Sequence, residues 1–236
     1  MKFTPNQKQL RRKLLTILND AHQSHIGSSL SVIDILDAIY KIKKRNEKFV
    51  LSNGHAAAAL YVVLEKYKYI NNANLTEYGV HPDRNEKKGI NVSTGSLGQG
   101  LPIAVGIALA NRKKNVYCLI SDGECTEGSI WEALRIIHDQ KITNLKVIVS
   151  VNGWGAYGPI DAKTLAKRLK GFGFNLIKIN GHQPKQITQT IKTIYAKPTI
   201  IFAKTISGQF PFLVDQDAHY YIMKDEDYQL AMKLLK

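Results

Sequence analysis

Apolar residues recur every third or fourth position over residues 5–22, where Leu10, Leu14, Ile17, Leu18 and Ala21 share one face and predict an amphipathic helix. Val32, Ile35, Leu36 and Ile39 repeat the pattern, and Ser31 just before them reads as the cap of a second helix. Residues 55–69 predict a third helix, and 70–95 is polar and loop-like. Beyond that point the period changes. The glycine-rich stretch 95–100 leads into an Ala/Ile-rich helix through Ala110, and 116–120 is a short continuous apolar run of the kind a buried parallel strand requires. A helix over 128–140 and a strand over 145–151 follow, then strands at 175–179 and 199–203 with a helix at 187–195 between them. Strands alternating with helices predict an α/β fold, a parallel sheet with helices on both faces. No repeat, low-complexity tract or linker interrupts the pattern, so residues 1–236 are expected to form one domain.

Composition narrows the choices. A hydrophobic share of 44% with 22% charged residues is that of a globular chain. No apolar run approaches the roughly 20 residues that span a bilayer, and Met1-Lys2-Phe3-Thr4-Pro5 lacks the apolar stretch of a secretory leader. A cytoplasmic location with no membrane partner is therefore expected. The net charge, 33 − 19 = +14, raises nucleic acid as a ligand. The basic residues are scattered, however, as in Arg11-Arg12-Lys13, Lys43-Lys44-Arg45 and Arg112-Lys113-Lys114, with no interleaved aromatics to stack on bases. They read as a solvated lysine-rich surface, and no nucleic-acid partner is expected. The two cysteines, Cys118 and Cys125, have no matching His/Cys spacing, which argues against a disulfide scaffold or a zinc site. Cys118 falls in an apolar run and reads as core. Cys125 reads as a thiol open to solvent, with nucleophilic catalysis as the minor reading.

Ligands in parallel sheets gather at the carboxyl ends of strands, and the unusual residues fall there. The run 116–120 feeds into Ser121-Asp122-Gly123-Glu124-Cys125-Thr126-Glu127-Gly128, and the strand over 145–151 runs into Asn152-Gly153-Trp154. Taken singly, Asp-Gly and Asn-Gly are turn dipeptides. Together they place oxygen-bearing side chains at the ends of two neighbouring strands, a donor set suited with one backbone carbonyl to half the octahedral shell of Mg²⁺. Gly123 would let a phosphate approach the main chain, and the helix after it would offer N–H donors to an anion.

The segment 121–152 resembles the thiamine-diphosphate signature, G-D-G followed about two dozen residues later by N, with Ser121 in place of its first glycine. Glu127-Gly128 followed by Trp131-Glu132-Ala133 makes it similar to transketolases and to the N-terminal subunits of split transketolases. Further blocks resemble that family in order: residues 24–31 around His25 and Gly27, 51–56 around Gly54-His55-Ala56, His81-Pro82-Asp83, and Thr94-Gly95-Ser96-Leu97-Gly98-Gln99-Gly100. Weaker similarity continues through Gly181-His182, Ala203-Lys204-Thr205 and Ala218-His219-Tyr220.

The resemblance implies that Asp122, Asn152 and the Trp154 carbonyl hold Mg²⁺ and that Gly123 faces the diphosphate. It implies His55 as a contact to thiamine diphosphate, with Gly95, Ser96 and Leu97 on its thiazolium side. His25 and His219 would lie near both cofactor and substrate, and His81 would bind substrate hydroxyls. Glu127 would meet its counterpart across a two-fold axis. His22, His138 and His182 read as surface or satisfied core histidines. The pyrimidine-binding domain of the family is missing from the sequence, which implies a second, C-terminal transketolase subunit in an α₂β₂ heterotetramer. The reaction implied moves a two-carbon ketol unit between sugar phosphates. The stretch 152–198 is shorter than is usual in the family, and Trp154 replaces a smaller aliphatic residue. Three alternatives remain: a related thiamine-diphosphate subunit of specialised sugar or deoxysugar synthesis, a basic nucleic-acid-binding module, and an inactive regulatory subunit.

Overall fold

A computed structural model describes residues 2–236; Met1, the first residue of the expected domain, lies outside the described residues. Helix α1 (Pro5–Asp20) opens on a capping box in which the Thr4 hydroxyl accepts from the Gln7 amide and the Gln7 side chain accepts from the Thr4 amide. Helix α2 (Ile26–Ile42) is almost wholly buried and begins five residues before Ser31. Ser31 is interior to the helix, not its cap, because its hydroxyl donates back to the Gly27 carbonyl. Strand β1 (Lys48–Leu51), helix α3 (Ala57–Lys66) and the single turn α4 (Leu75–Tyr78) follow. Next come α5 (Gly100–Ala110), β2 (Val116–Ser121), α6 (Gly128–Asp139) and β3 (Leu145–Val151). The chain continues through α7 (Ala162–Gly171), β4 (Asn175–Asn180), α8 (Pro184–Lys192), β5 (Thr199–Lys204) and α9 (Asp225–Leu234). Strand β1, the helical turn α4 within the stretch 70–95 expected to be loop, and helices α7 and α9 were not foreseen in the apolar pattern. No helix of the described residues is long and apolar enough to cross a membrane.

The five strands form one parallel sheet in the order β1-β2-β3-β5-β4. Alternate side chains divide between two cores, as a sheet buried on both faces requires. Tyr117, Leu119, Ile148 and Ile201 pack with α1, α2, α3 and α8. Val116, Cys118, Ile120, Val147, Val149 and Phe202 pack with α5, α6 and α7 on the other face. The expected α/β architecture with helices on both faces is what the chain adopts. Because every strand runs the same way, the loops after β1, β2, β3 and β5 leave from one edge. Ser121 faces Ser150 in the β2–β3 register, so the two strand ends that carry Asp122 and Asn152 are neighbours.

Candidate active site

Asp122 is fully buried where β2 gives way to the short 3₁₀ turn Gly123–Thr126. Its Oδ1 accepts from the Gly123 amide at 3.1 Å and its Oδ2 from the Gly153 amide at 2.7 Å, which ties the loops after β2 and β3 together. Asn152 Oδ1 accepts from the Trp154 amide at 2.9 Å, and its Nδ2 donates to Ser31 of α2 at 3.2 Å. Desolvation by burial pushes the Asp122 carboxyl up to about 7 even though backbone amides around it favour the charged form. A cation beside it would offset that burial, and carboxylate, amide and carbonyl oxygens are the donors a hard divalent ion takes. A Cβ on Gly123 would come within 3.0 Å of the Gly155 Cα and 3.5 Å of the Trp154 carbonyl oxygen, so only glycine lets the two loops approach this closely. Ser121, in place of the signature's first glycine, does not have a positive φ. Its hydroxyl accepts from the Glu124 amide at 3.2 Å, so serine fits there without strain.

A cavity of 180 Å³ opens beside these strand ends. Its lining includes Gly123, Asn152 and Trp154 together with His25, His55, His81 and His219, and also Gly95 and Leu97. The rings of His25, His55 and His219 form a triangle with centroid separations of 5.2, 5.1 and 5.3 Å. His25 takes a left-handed backbone, φ +64°, at the N-cap of α2, a conformation uncommon outside glycine and often found at functional sites. That kink lets its amide donate to the His219 carbonyl at 3.1 Å, joining α2 to the 3₁₀ turn Asp215–His219. His25 Nδ1 pairs with the Ser24 hydroxyl at 3.0 Å, which leaves Nε2 for a ligand. Burial brings His25 down to about 4, with further lowering from His219 and His81. Burial likewise brings His55 down to about 3, with His25, His219 and His81 adding to it, and burial lowers His219. At neutral pH these rings are uncharged and can each donate and accept a proton.

Not every expected residue faces the cavity. Asp122, fully buried with both carboxylate oxygens on backbone amides, is outside its lining, and so is the exposed Ser96. Glu127 lies against Gly98, where an added Cβ would meet its own Cβ at 2.7 Å, and lines a separate neighbouring hollow with Thr126 and Tyr157. Cys125 is buried, not open to solvent, and burial raises its thiol well above the ordinary range, so it does not serve as a nucleophile. Cys118 is core, as expected. His182 is a buried, hydrogen-bonded histidine, and His22 and His138 are exposed.

Glu124 was missed. It is fully buried, and three donors converge on its carboxylate: the Ser52 hydroxyl at 2.6 Å, the Gly98 amide at 3.0 Å and the Ser121 amide at 3.0 Å. It thereby ties together the loops that carry His55, Gly95 and Asp122. Asn53, also unforeseen, lines the cavity with a buried Oδ1 that has no partner among the described residues, an acceptor open to a ligand N–H or O–H. Tyr220 lies at the mouth, its ring 4.7 Å from that of His219 and its hydroxyl donating to the Ala156 carbonyl at 3.3 Å.

A protein-family model described as the thiamine diphosphate binding domain of transketolase matches residues 7–234. Among curated proteins, the chain is 31% identical to one subunit of the apulose-4-phosphate transketolase of Phocaeicola vulgatus, over 94% of this chain and 90% of that one. It is 34% identical to the transketolase of Homo sapiens, over 89% of this chain but 37% of that protein. Among solved structures, the transketolase of Campylobacter jejuni superposes with a TM-score of 0.82 at 26% identity, covering 98% of this chain and 42% of that one. The chain thus spans about two fifths of that structure and nearly the whole of the Phocaeicola vulgatus relative.

Proposed function

Because the chain belongs to the transketolase family through its thiamine diphosphate binding domain, we propose that it is the diphosphate-binding subunit of a two-part transketolase, with residues 1–236 as one domain. Its partner would be a C-terminal transketolase subunit that carries the pyrimidine-binding domain, in an α₂β₂ assembly with Glu127 at the two-fold contact. The observation that carries this reading is the triangle of histidines that lines the same cavity as Gly123, Asn152 and Trp154.

Asp122, Asn152 and the Trp154 carbonyl would hold Mg²⁺, and Gly123 with the amides after it would receive the diphosphate. Thiamine diphosphate, when bound, supplies a carbanion nucleophile and an electron sink for making and breaking a carbon–carbon bond next to a carbonyl. The chain's own part is to place and protonate. Nε2 of His25, without a hydrogen-bond partner among the described residues, would exchange a proton with a substrate hydroxyl or carbonyl oxygen, and His219, its ring beside that of His25, would share the work. His55 would contact the cofactor, Gly95 and Leu97 would line its thiazolium side, and Ser96 would contribute through its main chain. His81, at the outer wall, would hold sugar hydroxyls. Cavity walls around the three rings limit water near the reacting atoms, which strengthens each hydrogen bond made there.

The substrates proposed are sugar phosphates that give and receive a two-carbon ketol unit. Similarity to a protein named for apulose-4-phosphate supports a second reading, a thiamine-diphosphate subunit serving a specialised sugar. The test is to purify the chain with and without a candidate partner and follow two-carbon transfer from a panel of ketose phosphates. Activity that requires both polypeptides, thiamine diphosphate and Mg²⁺ is expected. Comparable activity from the lone chain would overturn the two-part reading, and the preferred donor separates the two substrate classes.

A further inference from the structure

Outside the cavity, three ionisable side chains are buried together: Arg11 on α1, Asp34 on α2 and His182 in the turn before α8, at 0%, 2% and 7% exposure. Arg11 grips both oxygens of Asp34, Nη1 at 3.0 Å and Nη2 at 2.7 Å, and its Nε donates to Gln209 at 2.8 Å. His182 Nδ1 lies 2.8 Å from Asp34 Oδ2, and the Ile206 amide donates to His182 Nε2 at 3.0 Å. An amide hydrogen pointing at Nε2 fixes the neutral ring with its proton on Nδ1, donated to Asp34. Gln209 in turn donates to the Leu30 and Ile206 carbonyls at 3.0 and 2.9 Å. The amide and the carbonyl of Ile206 are therefore both held, one by His182 and the other by Gln209.

Ile206 opens the segment that leaves β5 and ends at His219. On α2, Gly27, Ser31 and Asp34 share one face by their spacing of four and three. Gly27 meets Ser207 and Ala218, with 3.0 and 3.1 Å to where its Cβ would be; Ser31 holds Asn152; Asp34 holds Arg11 and His182. A buried ion pair is weak as a source of stability, since desolvation offsets most of its attraction, but it is exacting about geometry. We infer that Arg11, Asp34 and His182 are positioning residues that lock the 206–219 segment against α2 and so set His219 at its distance from His25 and His55. This goes beyond the functional reading above and rests on it for its activity arm alone.

The test replaces His182 by Phe, which keeps a flat ring and removes both hydrogen bonds, and separately Asp34 by Asn. Ile137→Val, in the opposite core, serves as a variant destabilised for unrelated reasons. Two readouts are taken, turnover of the assembled enzyme and the imidazole titration of His219 by NMR in the free chain. The expected result for His182→Phe is a fall in kcat of tenfold or more, binding of thiamine diphosphate changed less than threefold, and a His219 titration that moves up towards 6.5 as the ring gains solvent. Ile137→Val should move neither. If His182→Phe fails to fold, His182→Gln carries the same measurements. An unchanged His219 titration with unchanged kcat per folded enzyme would overturn the inference. A His219 titration shifted in His182→Phe, together with a wild-type pair that transfers no two-carbon unit, would instead uphold the lock and reject the transketolase reading.

Discussion

The Gly153 amide donates to Oδ2 of Asp122 at 2.7 Å, so the loop that leaves β3 is anchored on the carboxylate at the end of β2. Two tight turns become one rigid rim, and Asn152 and Trp154 are held beside Asp122.

Asp122→Asn removes the only formal negative charge offered to a cation by the proposed Mg²⁺ ligands and turns an amide donor towards one of two backbone N–H groups. Binding of thiamine diphosphate in the presence of Mg²⁺, followed by tryptophan fluorescence, should weaken a hundredfold or more. Asn152→Ala should act in the same direction. Affinity within twofold of wild type in both variants would remove these residues from the metal site.

Glu124→Gln tests the junction of the three loops. All three groups that bind its carboxylate are donors, so a glutamine must point its own N–H₂ at one of them. An orphaned buried donor costs about 1–3 kcal/mol. For a chain of this length that lowers the melting temperature by roughly 2–12 °C, measured by circular dichroism, together with weaker cofactor binding. A melting temperature equal to wild type would show that the carboxylate is not needed there.

The histidine triangle makes the fold acid-sensitive. His25 and His55 are held down to about 4 and about 3, while the unfolded chain titrates near the ordinary 6.5. Between those values the unfolded state binds more protons, so stability rises with pH through the window and is lost as pH falls from about 6.5 towards 3. Urea midpoints measured across pH 4–7 should decline on the acid side, and His25→Asn or His55→Asn should flatten the decline. An equal slope in the double variant would assign it to other groups.

Cys125 should be inert in the folded chain. Burial removes it from reagents and raises its thiol well above the ordinary range. Iodoacetamide at pH 8 should label it only after denaturation, and Cys125→Ala should leave two-carbon transfer intact. Rapid labelling of native protein at this position, read by mass spectrometry, would contradict the buried placement.

Strand β2 was legible as a continuous apolar run and β3 as a mostly apolar one broken by Lys146 and Ser150, each followed by a turn dipeptide, and their ends foretold the neighbouring Asp122 and Asn152. Strand β1 was hidden: four residues are too few for periodicity to separate from the motif that follows. The start of α2 was misjudged because a serine before an apolar run usually caps a helix, whereas Ser31 bonds back to Gly27 within it. Glu124 drew no role from the sequence, since spacing cannot show three donors arriving from Ser52, Gly98 and Ser121. Cys125 read as exposed for the same reason: the turn around it is polar in composition but packed against the core formed with α5 and α6. Histidines in motif blocks pointed to the cavity, while His182, equally near a motif, proved to be structural.

The bond from the His25 amide to the His219 carbonyl joins early and late parts of the polypeptide. During synthesis, at about 5–20 residues per second, a nascent chain can carry α2, β1 and β2 for many seconds before the segment that closes the pocket has left the ribosome. The wall that His25, His55 and His219 share is therefore finished only once residue 219 has emerged, after the strand ends that carry Asp122 and Asn152 are already made.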